Sequence, residues 1–220
     1  MQTTDTKLLY RQATKDDLKQ AATVIANSFA DYEFYRALKN GFKNHDKYLK
    51  TLAKMQLVFL KSLYKFQPIL LAELDSKILG VAILERPDKK VPGMASYLRC
   101  GGLGLVFRLP LRRLNLFLSQ LEPAVKACMQ LKKDNPDKVV WFLEAFCVAK
   151  GYQGQNIGTQ FFNDGVENFA KQNGCNILTL NTSTEQNGNF YTKCGCTLFD
   201  TGEIMADKQP LLNLSFKKEL

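Results

Sequence analysis

The chain has 220 residues, 45% of them hydrophobic and 23% charged. That composition excludes wholesale disorder, fits about one domain, and allows a core without disulfide or metal staples. The net charge of +9 favours an anionic partner, such as a phosphorylated cofactor, nucleic acid or anionic lipid.

The cations are spread along the chain with no arginine-rich tail, so no nucleic-acid partner is expected. No run approaches about 18 consecutive apolar residues, so no membrane span is expected. Residues 1–6 carry no basic-then-apolar leader. Six cysteines without such a leader point to reduced thiols in a cytoplasmic protein. Only Cys194 and Cys196 are close in sequence, and His45 is the single histidine, so no metal site is expected.

Residues 7–11 read as a short strand. Thr14 reads as the N-cap of a helix reaching Ala30, with Leu18, Ala21, Ala22, Ile25 and Phe29 at helical spacing. Residues 31–35 form an aromatic connection to a second helix over residues 46–64. Residues 69–74 and 78–85 read as an antiparallel hairpin turning at Asp75 and Ser76. Pro87, Pro92 and Gly93 mark residues 86–99 as loop. A helical insert is placed at about 94–133. Within it, residues 111–118 are apolar and basic, compatible with a buried helix with a basic rim or with a helix lying on a membrane surface.

Residues 139–148 read as a strand, 149–156 as loop and 157–172 as a helix stopped by Gly174. A strand over residues 177–181 follows, then a short helix or turn opened by Phe190 and Tyr191 and ended by Gly195. Residues 196–199 and 211–216 read as late strands. With no linker and no repeat, residues 1–220 make one α/β domain.

The chemistry concentrates after the strand at residues 139–148. The loop at residues 150–158 opens a helix, whose first backbone N–H groups and dipole suit a pyrophosphate. Gly154 and Gly158 permit close backbone approach. No Gly-Lys-Ser/Thr follows, and the spacing is not that of the dinucleotide fingerprint.

The run Gln153, Gly154, Gln155, Asn156, Ile157, Gly158, followed by Asn187-Gly-Asn-Phe-Tyr191-Thr-Lys-Cys-Gly195, resembles the GNAT superfamily of N-acetyltransferases. Trp141-Phe-Leu, Tyr152-Gln153-Gly154 and Asn181-Thr-Ser are similar to its puromycin N-acetyltransferase branch. The resemblance implies a central mixed, mostly antiparallel twisted sheet flanked by helices. It implies acetyl-CoA as acyl donor, with the backbone of Phe146 and Val148 on the pantetheine arm. Residues 153–158 and Thr159 would hold the pyrophosphate, and Asn187 would lie near the cofactor. Tyr191 would lie near the thiol as general acid. Three positions depart from the family pattern: Asn156 replaces a glycine, Cys196 an aromatic residue, and Asn181 the branch's glutamate.

Strand alternation groups Phe142, Glu144, Phe146 and Val148 on one face, and Trp141, Leu143, Ala145 and Cys147 on the other. Glu144 is then an acid among apolar neighbours, suited to act as a base, with Cys147 facing away. Phe29, Tyr32 and Phe34, with Asp31 and Glu33, suit a cationic amine. The expected activity is direct acetyl transfer from acetyl-CoA to a primary amine of a small molecule. The alternatives are a catalytically weak acetyl-CoA-binding sensor or regulator, and a protein or peptide N-acetyltransferase. A homodimer is compatible with either.

Overall fold

The computed structural model describes residues 8–220. Lys7, expected to open the first strand, and residues 1–6 lie outside the described residues. The strands are β1 (Leu9–Gln12), β2 (Ile69–Leu74), β3 (Lys77–Glu85), β4 (Val140–Val148), β5 (Ile177–Thr182), β6 (Thr197–Ala206) and β7 (Gln209–Glu219). They form one sheet in the order β1-β2-β3-β4-β5-β7-β6. Only β4 and β5 run parallel; the other neighbours are antiparallel.

Two hairpins set the register. Asp75 and Ser76 both have positive φ, as do Asp207 and Lys208, the geometry a two-residue hairpin turn requires. The second hairpin is much longer than residues 196–199 and 211–216 suggested. β6 is one of the sheet's two edge strands and mostly exposed, so its outer residues carry no apolar alternation.

The helices are α1 (Leu18–Phe29), α2 (Arg36–Lys39), α3 (His45–Leu63), α4 (Met94–Tyr97), α5 (Leu103–Val106), α6 (Leu111–Leu118), α7 (Leu121–Asp134), α8 (Ile157–Gln160), α9 (Asn168–Gln172) and α10 (Glu185–Lys193). A π-helical stretch, Phe161–Glu167, joins α8 and α9 into one continuous helix. That helix packs on one face of the sheet, with Phe161, Phe162 and Val166 against Leu84, Trp141 and Leu143. α1 and α3 pack on the other, with Ile25 and Leu60 against Leu71, Val81 and Ile83.

Three boundaries differ from expectation. Thr14 does not cap α1. Asp17 occupies the cap position, and its carboxylate accepts from the Thr14 N–H (2.7 Å) and hydroxyl (2.8 Å) and pairs with Arg11 (2.7 Å). Within residues 86–99, expected as loop, Gly93 instead leads into α4. α10 starts at Glu185, well before Phe190, because Thr184 Oγ1 accepts from the Asn187 N–H (3.2 Å) and caps it.

Candidate active site

β4 breaks the alternation expected of it. Ile83 pairs with Ala145 but Leu84 pairs with Leu143, so Glu144 is an extra residue, a β-bulge. Past the bulge the faces exchange. Phe146 joins Trp141 and Leu143 under the long helix, while Ala145 and Cys147 join the α1 and α3 side. The grouping of Glu144 with Phe146 and Val148 is therefore corrected. So is the separation of Cys147 from Glu144. Glu144 lines a cavity with Phe59, Leu63 and Ile83, on the same side of the sheet as Cys147.

β4 and β5 pair only through Val140, Trp141 and Phe142, whereas β5 stays paired with β7 as far as Thr182. The parallel strands therefore part beyond Phe142. The Ala149 N–H donates to the Leu79 carbonyl (2.8 Å). By the alternation of an antiparallel ladder, the backbones of Phe146 and Val148 then point the other way, into the gap. The Val148 carbonyl is already engaged there, accepting from Ser28 Oγ (3.1 Å) and Gln153 Nε2 (2.9 Å). The Val148 N–H and the Phe146 main chain are left for an extended ligand.

The end of the gap meets the start of the long helix, where Ile157 packs with Val148. Gly154 has φ of 77° and Asn156 φ of 62°. Asn156 thus adopts the left-handed turn that asparagine tolerates better than most residues. A Cβ on Gly158 would stand 3.3 Å from the Phe190 ring, a close approach that a larger residue would crowd. Gln153 and Gln155 turn their amides inward, to the carbonyls of Val148 and Gly151 (3.3 Å for the latter). The main chain of residues 154–159 and the helix dipole are what this loop offers an anion.

Tyr191 is buried against Phe162, Phe190 and Phe216. Burial pushes its pKa well above the usual phenol value, helped by Tyr32 nearby. Among the described residues its hydroxyl makes no hydrogen bond. Asn187 donates from Nδ2 to Thr182 Oγ1 (3.1 Å). The Tyr32 hydroxyl accepts from the Ser183 N–H (2.7 Å). Tyr32 therefore fastens the aromatic connection to the end of β5, beside the start of α10.

Phe29, Tyr32 and Phe34 come together as an aromatic wall. Ring centroids are 5.7 Å apart for Phe29 and Tyr32 and 6.4 Å for Tyr32 and Phe34. Tyr35 extends the wall, 5.8 Å from Phe29, and its hydroxyl accepts from Gln56 Nε2 (3.1 Å). The charge of Glu144 reaches Tyr35 and helps raise its pKa, after burial.

The cavity at Glu144 measures about 210 Å³ and is also lined by Gln67, Glu85, Val91 and Tyr97. Glu144 is exposed to solvent at this cavity, although protein atoms crowd round its carboxyl. Burial, and then the charge of Glu85, push its pKa up to about 7. The expected acids of the connection are not available to an amine. Asp31 pairs with Lys39 (2.8 Å) and Lys150 (2.7 Å), which hold its carboxyl down at about 2. Glu33 pairs with Arg36. Sequence reasoning missed Glu85, Tyr97 and Ser28; Tyr97 sat in presumed loop, whereas Tyr35 lay in the aromatic run already singled out.

The six cysteines are free. Burial pushes Cys147 and Cys196 up to about 12, which leaves them protonated. Among the described residues no cluster of His, Cys, Asp and Glu is placed to hold a metal, and no helix is long and apolar enough to cross a membrane.

The family model for the acetyltransferase (GNAT) family matches residues 32–196, which include the bulge, the gap, the glycine loop and Tyr191. The chain belongs to this family. GNAT proteins are N-acetyltransferases that take acetyl-CoA as acyl donor, and this chain is one by membership. The residues present fit that donor, because a backbone-lined gap ends at an open helix N-terminus.

Solved structures share the fold at low identity. A polyamine N-acetyltransferase of Drosophila melanogaster, which forms N-acetylagmatine, is 15% identical, with 97% of this chain and 100% of that one covered and a TM-score of 0.57. An agmatine N-acetyltransferase is 14% identical, with 97% and 99% covered and a TM-score of 0.59. A ribosomal-protein-alanine N-acetyltransferase of Brucella melitensis is 16% identical, with 97% and 100% covered and a TM-score of 0.55. No curated protein matches in sequence.

Proposed function

We propose that the chain is a single N-acetyltransferase domain that acetylates a primary amine of a small molecule by direct transfer. Glu144 is the base and Tyr191 the general acid. The observation that carries this reading is the bulge. It sets a carboxyl with a pKa near 7 into a cavity lined by β3 and α3, two residues along β4 from the last one paired with β5.

Bound acetyl-CoA supplies an acetyl group on a thioester. The Phe146 main chain, the Val148 N–H, residues 153–158, Thr159 and Asn187 would hold it. An ammonium acceptor carries no lone pair for attack. Glu144, as carboxylate, takes one of its protons, and a pKa near 7 suits that transfer at neutral pH. The freed nitrogen bonds the acetyl carbon as the carbon–sulfur bond breaks, and the cationic amide nitrogen then gives its surplus proton to solvent, from which Tyr191 regains the proton it spends on the sulfur. Tyr191 keeps its proton at neutral pH because burial disfavours the phenolate, and it donates that proton to the leaving sulfur. Phe29, Tyr32 and Phe34 line the acceptor side, where aromatic faces attract a cationic amine. The polyamine and agmatine acetyltransferases of similar fold support an amine acceptor.

The test is thermal stabilisation by CoA and acetyl-CoA, followed by thiol release across a panel of small amines. Saturable stabilisation of both the parent and Tyr191→Phe is expected, with thiol release reduced about 10²- to 10⁴-fold in the variant. No stabilisation at millimolar acetyl-CoA sinks the reading. Stabilisation without turnover on any amine would assign the chain to donor sensing instead.

A further inference from the structure

The insert between β3 and β4 leaves much of its own apolar surface uncovered. Leu105, Leu109 and Phe117 turn into the core beside Leu52 and Val58. Met94, Leu98, Leu103, Phe107, Leu111 and Leu118 stay exposed, Phe107 by 91%. These six are nearly half of the large apolar side chains exposed among the described residues. Scattered exposed apolar residues are ordinary, whereas six within residues 94–118 are a concentration that a covering partner would explain. Leu111 and Leu118 lie two turns apart on one face of α6.

The charge around them has one sign. From Lys89 to Leu121 the sequence holds six cations and no acid. Arg113 pairs with Asp207 (2.7 Å). Arg99, Arg108 and Arg112 are exposed and, among the described residues, make no ion pair. The other arginines of the chain, Arg11, Arg36, Arg86 and Arg113, all pair with an acid.

Bulky apolar side chains flanked by unpaired arginines fit a bilayer with anionic headgroups. The apolar groups enter the boundary of the acyl chains, and the guanidinium groups take phosphate. A second copy fits poorly, because a two-fold contact through this face sets arginine against arginine. We propose that residues 94–118 dock the chain peripherally on an anionic lipid surface.

The test is flotation of the full chain with vesicles at about 0.15 M salt. One set is phosphatidylcholine alone, and the other is mixed with phosphatidylglycerol. Flotation with the mixed vesicles only is expected. Arg108→Gln combined with Arg112→Gln should lower partitioning roughly thirty-fold. Phe107→Ser should lower it at least about ten-fold. These side chains are exposed, so melting temperatures of the variants should match the parent. Absence of flotation with mixed vesicles overturns the proposal, as does binding that neither variant weakens. A dimer that Phe107→Ser splits would give the face to a second copy and overturn it equally.

Discussion

A carboxyl that holds its proton up to about pH 7 costs folding free energy once it is charged. Glu144 sits near 7 when folded, against an ordinary value of 4.5. Between those values the folded chain keeps a proton that the unfolded chain has released. Stability therefore falls as pH rises through this window, and the full cost is present above it. Glu144→Gln removes the cost. The variant should melt above the parent at about pH 8 and level with it at about pH 4. It should also lose about 10²- to 10⁴-fold in rate, and the parent's rising limb near pH 7 should vanish from its profile. A variant that gains stability but keeps its rate would leave Glu144 as a strained residue with no part in proton transfer. Glu144 was legible in the sequence as an acid among apolar neighbours. Its bulge was not, because Leu143, Ala145 and Phe146 suit either face and only the pairing with β3 decides.

At the scale of elements, the long helix owes its closeness to the sheet to two glycines around one ring. A Cβ on Gly80 of β3 would stand 2.8 Å from Phe161, and one on Gly165 would stand 2.8 Å from the other edge of that ring. Phe161 is fully buried and stacks on Phe146, so it cannot yield outward. Gly165→Ala should cost about 1–3 kcal/mol in urea unfolding, the usual penalty for overpacking. Phe161→Leu in the same chain should return part of it; an additive double variant would mean that the two positions do not share this contact. The helix itself was readable from Phe161, Phe162, Val166 and Phe169. Its π-helical middle and the two glycine contacts were not, since they express a distance between elements. The same limit hid the gap between β4 and β5. Both strands read plainly as apolar runs, but where they part is set by β5 continuing along β7. α10 was readable only in its second half, because its first turn is polar and held by the Thr184 cap.

For the whole molecule, the mixed and mostly antiparallel sheet, the order of elements and the glycine loop were legible, and the acceptor was not. Acids that look available in sequence, Asp31 and Glu33, are occupied by lysine and arginine once the chain folds. The acids left to face the cavity are Glu144 and Glu85. On the proposed activity this creates opposite electrostatics for the two substrates. A net charge of +9 attracts the polyanionic donor over long range, whereas a cationic amine is repelled by the molecule and attracted only locally. Salt screens the long-range field far more than contacts inside a cavity. Raising the salt from about 0.02 M to about 0.3 M should therefore lower kcat/KM for acetyl-CoA several-fold. The value for the amine should hold steady or rise. Equal losses for both substrates would mean that salt acts on the fold or on the loop at residues 153–158, and steering by net charge would have to be given up.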